Sequence, residues 1–336
     1  MTRMTFVAFL SLAAAGAAHA ATTCSFVTSG TQMTLQGDCT TDTTIIVPNG
    51  MRLDGAAHRI TAVDPPGGNF LGAIIRSGGT SAEVVNTVLA TENLADVCAG
   101  GEDSLTGILF DGASGTISGN TILSLNKNSR AGARSSCQEG NAIKAVNFGP
   151  ISGRIPVTIS GNTIREYQKT GIIVSGEIDG AVTGNTVVGA GPQADIGQNG
   201  IQIGEGATAR VLHNTVSGNA YTGGGTASGG IIVASGPLHG SRYSEGVEIG
   251  DNTLVGNDVG VWLMQMEQDR RSPNVPTRTR ITGNSISNEA VTNKLYQAGI
   301  TAHGNGDQIS GNHIAGVGYD PATRPGSIFS VDNYNN

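Results

Sequence analysis

The stretch TISGNTI at Thr116 to Ile122 returns letter for letter at Thr158 to Ile164, and five looser copies follow. These are VTGNTV at Val182 to Val187, VLHNTV at Val211 to Val216, IGDNTL at Ile249 to Leu254, ITGNSI at Ile281 to Ile286 and ISGNHI at Ile309 to Ile314. Each copy carries one asparagine in the same place: Asn120, Asn162, Asn185, Asn214, Asn252, Asn284 and Asn312. Their spacings of 42, 23, 29, 38, 32 and 28 residues are those of a solenoid whose turns carry loops of unequal length, the shortest approximating one bare coil.

A second pattern interleaves with the first: GIL at Gly107, AIK at Ala142, GII at Gly171, GIQ at Gly200, GII at Gly230, GVW at Gly260 and GIT at Gly299. Each coil therefore holds at least two strands, and stacking like strands of successive coils builds long parallel sheets. Alternation along the second strand points Ile108, Ile143, Ile172, Ile201, Ile231, Val261 and Ile300 inward. It points Leu109, Lys144, Ile173, Gln202, Ile232, Trp262 and Thr301 outward, with Val146, Ser175, Gly204, Ala234, Met264 and His303 two positions on. The asparagines recur at one turn of every coil, so they read as a structural ladder of stacked amides.

Composition agrees with many short strands joined by tight turns. Glycine is 51 of 336 residues, charged residues are 13% and aromatics 4%. A formal charge of −7 argues against nucleic acid as a partner, because backbone binding depends on clustered Lys and Arg. Residues 1–20 read as an export signal: Arg3, an apolar run from Phe6 to Ala18, and a small-x-small cleavage site at Ala18-His19-Ala20. Cleavage near Ala20 places the mature chain outside the cytoplasm, secreted or periplasmic. No run is long enough to span a membrane. Cys24, Cys39, Cys98 and Cys137 make an even count, which in an exported protein implies two disulfides; sequential pairing is the first expectation among three connectivities. No CxxC and no His/Cys cluster marks a metal site.

The SGNTI and GIxV repeats resemble the right-handed parallel β-helix family with a pectin-lyase-like fold, over residues 100 to 320. The resemblance implies an all-β, single-stranded right-handed parallel β-helix of about seven or more coils plus an N-terminal cap, as one domain over residues 21–336. LDGAAHRITA at Leu53 to Ala62 resembles a first coil, so residues 21–60, with Cys24 and Cys39, are read as cap and first coil. FLGAIIRS and AEVVNTVLA look like two early coil strands. The family includes lyases, hydrolases, epimerases and non-catalytic surface proteins, so the repeat implies no one function. No Asp-Pro-His-Asp run of the mannuronan epimerase kind, no paired aspartates in the polygalacturonase pattern and no acidic cluster for a pectate-lyase-like calcium occurs. The resemblance therefore carries over a fold and no catalytic residue, and no cofactor is indicated.

Loop lengths locate a groove. The longer excursions, such as Leu123 to Asn141 and Met264 to Arg280, flank the second pattern on both sides, making its sheet the floor of a trough about 30 Å long over seven coils. That length suits a linear polysaccharide. Lys144 and Lys169, two of only four lysines, fall on adjacent coils and are candidates for base or charge neutraliser in β-elimination of a uronate. Glu139 and His239 are further catalytic candidates, and Gln198, Gln202, Trp262, Asp258 and His303 are candidates for substrate contact. Hydrolysis instead needs two carboxylates near each other, which no recurring motif marks. The expected function is an exported polysaccharide lyase or related polysaccharide-modifying enzyme, with a non-catalytic glycan-binding or cell-surface protein as the alternative.

Overall fold

The repeated motif is two strands, divided by a bend. In the first copy Ser114–Ser118 and Thr121–Leu123 are separate strands, with Gly119-Asn120 between them. The residue before each asparagine takes the left-handed conformation: Gly119 at φ +64°, Gly161 at +62°, His213 at +57° and Asp251 at +53°. Glycine meets that requirement without strain, and His and Asp are among the few other residues that tolerate it. Ile117 and Ile122, five residues apart, would face opposite sides of one straight strand, and the bend is what lets both be fully buried.

Each coil consequently has three strands, one more than the minimum of two that the repeats require. A computed structural model describes residues 22–127, 135–149 and 153–320; the expected export signal and its cleavage site lie outside these. The strands form sheets of eleven, nine and ten members. Apart from the antiparallel pair Phe26–Ser29 and Gln32–Leu35, neighbouring strands run parallel. Coil stacking begins at once, with Gln32 opposite Arg52, Cys39 opposite Ile60 and Ile45 opposite Ile75. Among the described residues only the strand Phe26–Ser29 precedes the first coil, and a Cys24–Cys39 disulfide ties that end. The early segments supply Ala73–Gly78, Ser81–Val85 and Val88–Thr91.

Two devices hold the stack together besides the buried Ile and Val columns. From Asn120 to Asn284, each asparagine Nδ2 donates to Oδ1 of the asparagine one coil on, at 2.8 to 3.0 Å. The same Oδ1 also accepts the backbone N–H of the preceding asparagine, as from Asn162 to Asn185 at 3.0 Å, so these buried amides are satisfied along the axis. The second device is the glycine of the GI strand, which points inward against the asparagine sheet. A Cβ at Gly200 would lie 2.2 Å from Val216 Cγ1 and 2.5 Å from the Gly230 carbonyl.

Candidate functional site

The nine-stranded sheet is the floor, and its register brings the expected outward residues into rows. Leu109, Lys144, Ile173, Gln202, Ile232, Trp262 and Thr301 are successive neighbours, as are Val146, Ser175, Gly204, Ala234, Met264 and His303. A third outward row, opened by Asn141, Thr170, Asn199 and Gly229, was not picked out by alternation. Asn199 Nδ2 donates to Gln202 Oε1 at 3.4 Å, and a Cβ on Gly229 would meet the Ile232 side chain, so this row shares the outer face. Its signal in the sequence is the polar residue just before the Gly-Ile or Ala-Ile pair. The glycine kink after it shifts the alternation by one.

Walls rise on both sides. On one, the strands Thr186–Gln193 and Thr215–Tyr221 run on past the coil and pair again from Gly191 opposite Asn219 to Gln193 opposite Tyr221. On the other, residues 236–247 and 266–279 form long excursions. The floor is not open along its whole length. Leu109 and Val146 are buried in a small apolar cluster with Ala73. Ile232 and Thr301 are also buried, and the Tyr296 hydroxyl donates to Thr301 Oγ1 at 3.0 Å. Lys144, Ile173, Gln202 and Trp262 remain half-buried.

Three residues read as lying at the floor's edge are instead enclosed in the wall. Glu139 is fully buried; its carboxylate accepts Ala99 N–H at 2.8 Å and Leu105 N–H at 2.7 Å and pairs with Lys127 at 3.0 Å. Asp258 is likewise buried, accepting the backbone N–H groups of Tyr221 and Ser228 and the Thr292 hydroxyl. Burial raises its pKa and those hydrogen bonds pull it back. Gln198 spans the amide of Ala190 and the carbonyls of Tyr167 and Gln168. Groups so fully engaged hold loop backbone and offer a ligand nothing, which corrects their assignment as catalytic or contact residues.

The other candidates are placed variously. Lys144 stands half-buried on the floor with no partner among the described residues. Lys169 donates to the Gly197 carbonyl at 2.8 Å, and burial lowers its pKa. It precedes its strand, whereas Lys144 is in register with Ile173, four residues or about 13 Å further along. Gln202 lies between Ile173 and Ile232 on the floor. His239 is exposed on the turn Pro237–His239 of one wall, away from the floor rows. Burial lowers the pKa of His303, at the far end of the floor. Trp262 packs against Tyr296, with ring centroids 5.1 Å apart, beside Ala227 and Val259. Its partner thus comes from the wall opposite the Met264 to Arg280 loop.

Both disulfides are Cys24–Cys39 and Cys98–Cys137, the sequential pairing, and no helix among the described residues is long and apolar enough to cross a membrane. Cys98, Cys137 and Glu139 lie close together, but the cysteines are consumed in the bridge. The bridge joins the segment before Leu105 to the segment carrying Glu139. Reducing it is expected to raise amide hydrogen exchange at residues 95–105 and 135–140 while leaving the far-ultraviolet circular dichroism of the coils unchanged. Loss of the coil spectrum would mean that the bridge supports the whole stack.

Residues 106–269 match the family described as right handed beta helix region. The Dettilon tailspike protein is similar in structure at 16% identity and a TM-score of 0.46, covering 88% of this chain and 50% of its own, so the chain spans about half the tailspike's length. The periplasmic alginate epimerase AlgG aligns at 13% identity and a TM-score of 0.31, covering 82% of this chain and 78% of its own. The A-module of the Azotobacter vinelandii mannuronan C-5 epimerase AlgE4 aligns at 13% identity and 0.24, covering 82% and 90%. No curated relative matches by sequence. With its three parallel sheets and its asparagine ladder, the chain has the fold of a right-handed parallel β-helix.

Proposed function

We propose that the protein is exported and acts on an anionic polysaccharide laid along the outer face of the nine-stranded sheet, across Lys144, Ile173 and Gln202 and on toward Trp262. One observation carries this reading. From the strand Asn141–Asn147 onward the three outward rows contain Lys144 and His303 and no carboxylate, in a chain with 26 acidic against 19 basic residues. A floor whose one charge at neutral pH is the Lys144 cation favours polyanions over the acidic remainder of the protein. Lys144 to Trp262 spans four coil steps, about 19 Å, which suits several linked sugars. Two disulfides and the signal-like leader support export.

Binding is tested with polyuronates such as alginate and polygalacturonate against a neutral glucan. The polyuronate is expected to bind, with salt weakening it, and Lys144→Ala to lower affinity about tenfold, or about 1.4 kcal/mol. Equal binding of neutral and anionic chains, or an unaffected variant, would overturn the assignment. His303 adds a pH dependence. Its lowered pKa leaves it neutral at pH 7, so its charge arrives only as pH falls below the ordinary histidine value of about 6.5. Affinity should rise on that descent, and His303→Ala should remove the rise.

A lyase reading is favoured by Lys169, whose buried amine is easier to deprotonate than an ordinary lysine. There the Lys169 amine takes the proton from C5 of a uronate, C4–C5 becomes a double bond, and the C4–O bond breaks, its oxygen taking a proton from water. Lys144, about 13 Å further along the strand, holds the carboxylate of a uronate elsewhere on the same polysaccharide chain. Unsaturated product formed by the wild type and lost in Lys169→Ala, with binding retained, is the expected result; binding without product leaves the non-catalytic alternative.

A further inference from the structure

The corner where the floor sheet turns toward the eleven-stranded sheet carries a second cavity, of about 530 Å³. Its functional lining is Asn147, Phe148, Glu177, Glu205, Ser241 and Arg242. Asn147 and Phe148 end one floor strand, while Glu177 and Glu205 follow the next two. Arg242 arrives from the excursion after Gly229–Ser235 and leans back across the intervening coil: its guanidinium lies over Gly206 and pairs with Glu177. The cavity is therefore built from four coils, with a wall loop along one side.

Three features describe its occupant. The Phe148 ring is 61% exposed beside the opening, although most large apolar side chains of this protein are buried in the coil. Asn147 is 1% exposed, and its Oδ1 has no hydrogen-bond partner, while its Nδ2 donates to the Glu177 carbonyl at 3.1 Å. An unpaired buried acceptor is unfavourable, and a hydrogen-bond donor that reaches it relieves the loss. The charged groups are two carboxylates and one guanidinium, an excess of acceptors that repels a uronate and suits hydroxyl donors. An exposed aromatic face, a buried acceptor and acidic hydrogen-bond acceptors together match a neutral pyranose. The volume falls within the range of about 300–1,000 Å³ typical of small-ligand sites.

We propose that this corner cavity is a binding site for a neutral hexose unit, its C–H face stacked on Phe148 and its hydroxyls donating to Asn147 Oδ1, Glu177 and Glu205. It is chemically distinct from the cationic floor and stands whether or not the floor carries a glycan.

The test is saturation-transfer NMR and calorimetry on the mature protein, with gluco-, galacto- and manno-configured neutral disaccharides at millimolar concentration and galacturonate as the acidic control. At least one neutral disaccharide is expected to bind and galacturonate not to compete with it. Phe148→Ala and Glu205→Gln, both at exposed side chains, should each weaken binding roughly tenfold with an unchanged melting curve. Lys144→Ala should leave it unchanged. Failure of every neutral disaccharide to bind overturns the proposal, as does binding that survives both cavity variants. Binding lost in Lys144→Ala but kept in Phe148→Ala would assign the sugar to the floor and overturn it equally.

Discussion

Replacing Asn185 with alanine is expected to lower stability by about 4 kcal/mol, a large share of the roughly 5–15 kcal/mol typical of a domain. Asn185 Oδ1 accepts both the backbone N–H of Asn162 at 3.0 Å and its Nδ2 at 2.9 Å. Its own Nδ2 donates to the Ile159 carbonyl at 2.9 Å and to Asn214 Oδ1 at 3.0 Å. Truncation orphans two buried donors on Asn162, each costing about 1–3 kcal/mol, and leaves the Ile159 carbonyl without this donor. The comparison is Asn274→Ala on an exposed wall loop, where surface changes stay within about 0.5 kcal/mol. Urea denaturation followed by circular dichroism reads both. Equal midpoints would show that the ladder marks the coils without stabilising them.

The second large effect is expected at Glu139. Glu139→Ala should destabilise by about 3–5 kcal/mol, because it strands the Lys127 ammonium, itself 1% exposed, without its counter-charge. It also removes the acceptor of two backbone N–H groups, at Ala99 and Leu105. The change that separates these contributions is the double variant Lys127→Met with Glu139→Gln. It removes both charges and keeps an acceptor, so it should recover most of the loss. If the double variant is no more stable than Glu139→Ala, the loss lies in the loop's hydrogen bonds and not in the unpaired cation. Neither variant touches the floor, so polyuronate binding measured below the unfolding transition should be unaffected.

The inner columns and the floor's main row were legible because alternation is a local property of a strand: Ile172 and Ile173 face opposite ways whatever their loops do. The asparagine column was legible because the same residue recurs at one place in every coil. What could not be read was direction in the loops. Glu139, Gln198 and Asp258 stand one or two residues before floor strands, and counting places them at the floor's edge. Their side chains turn inward to nearby backbone N–H groups, whose position depends on the path of a loop that spacing does not encode. The packing partner of Trp262 was equally beyond the reach of spacing, since Tyr296 lies 34 residues on in a wall loop. The bend inside TISGNTI was missed although Ile117 and Ile122, five residues apart, cannot both face inward along one straight strand.

The same buried wall residues bear on how such a molecule can diversify. Long excursions are pinned at their roots by buried polar side chains near the starts of floor strands: Gln198 and Gln297 hold their own loops, and Glu139 and Asp258 hold the loop of the preceding coil. The excursion is thereby anchored at its root, and its tip carries none of the load of the coil below. Such loops can be lengthened, shortened or exchanged as cassettes. The irregular intervals between the asparagines then mark where loop length can change without breaking the ladder.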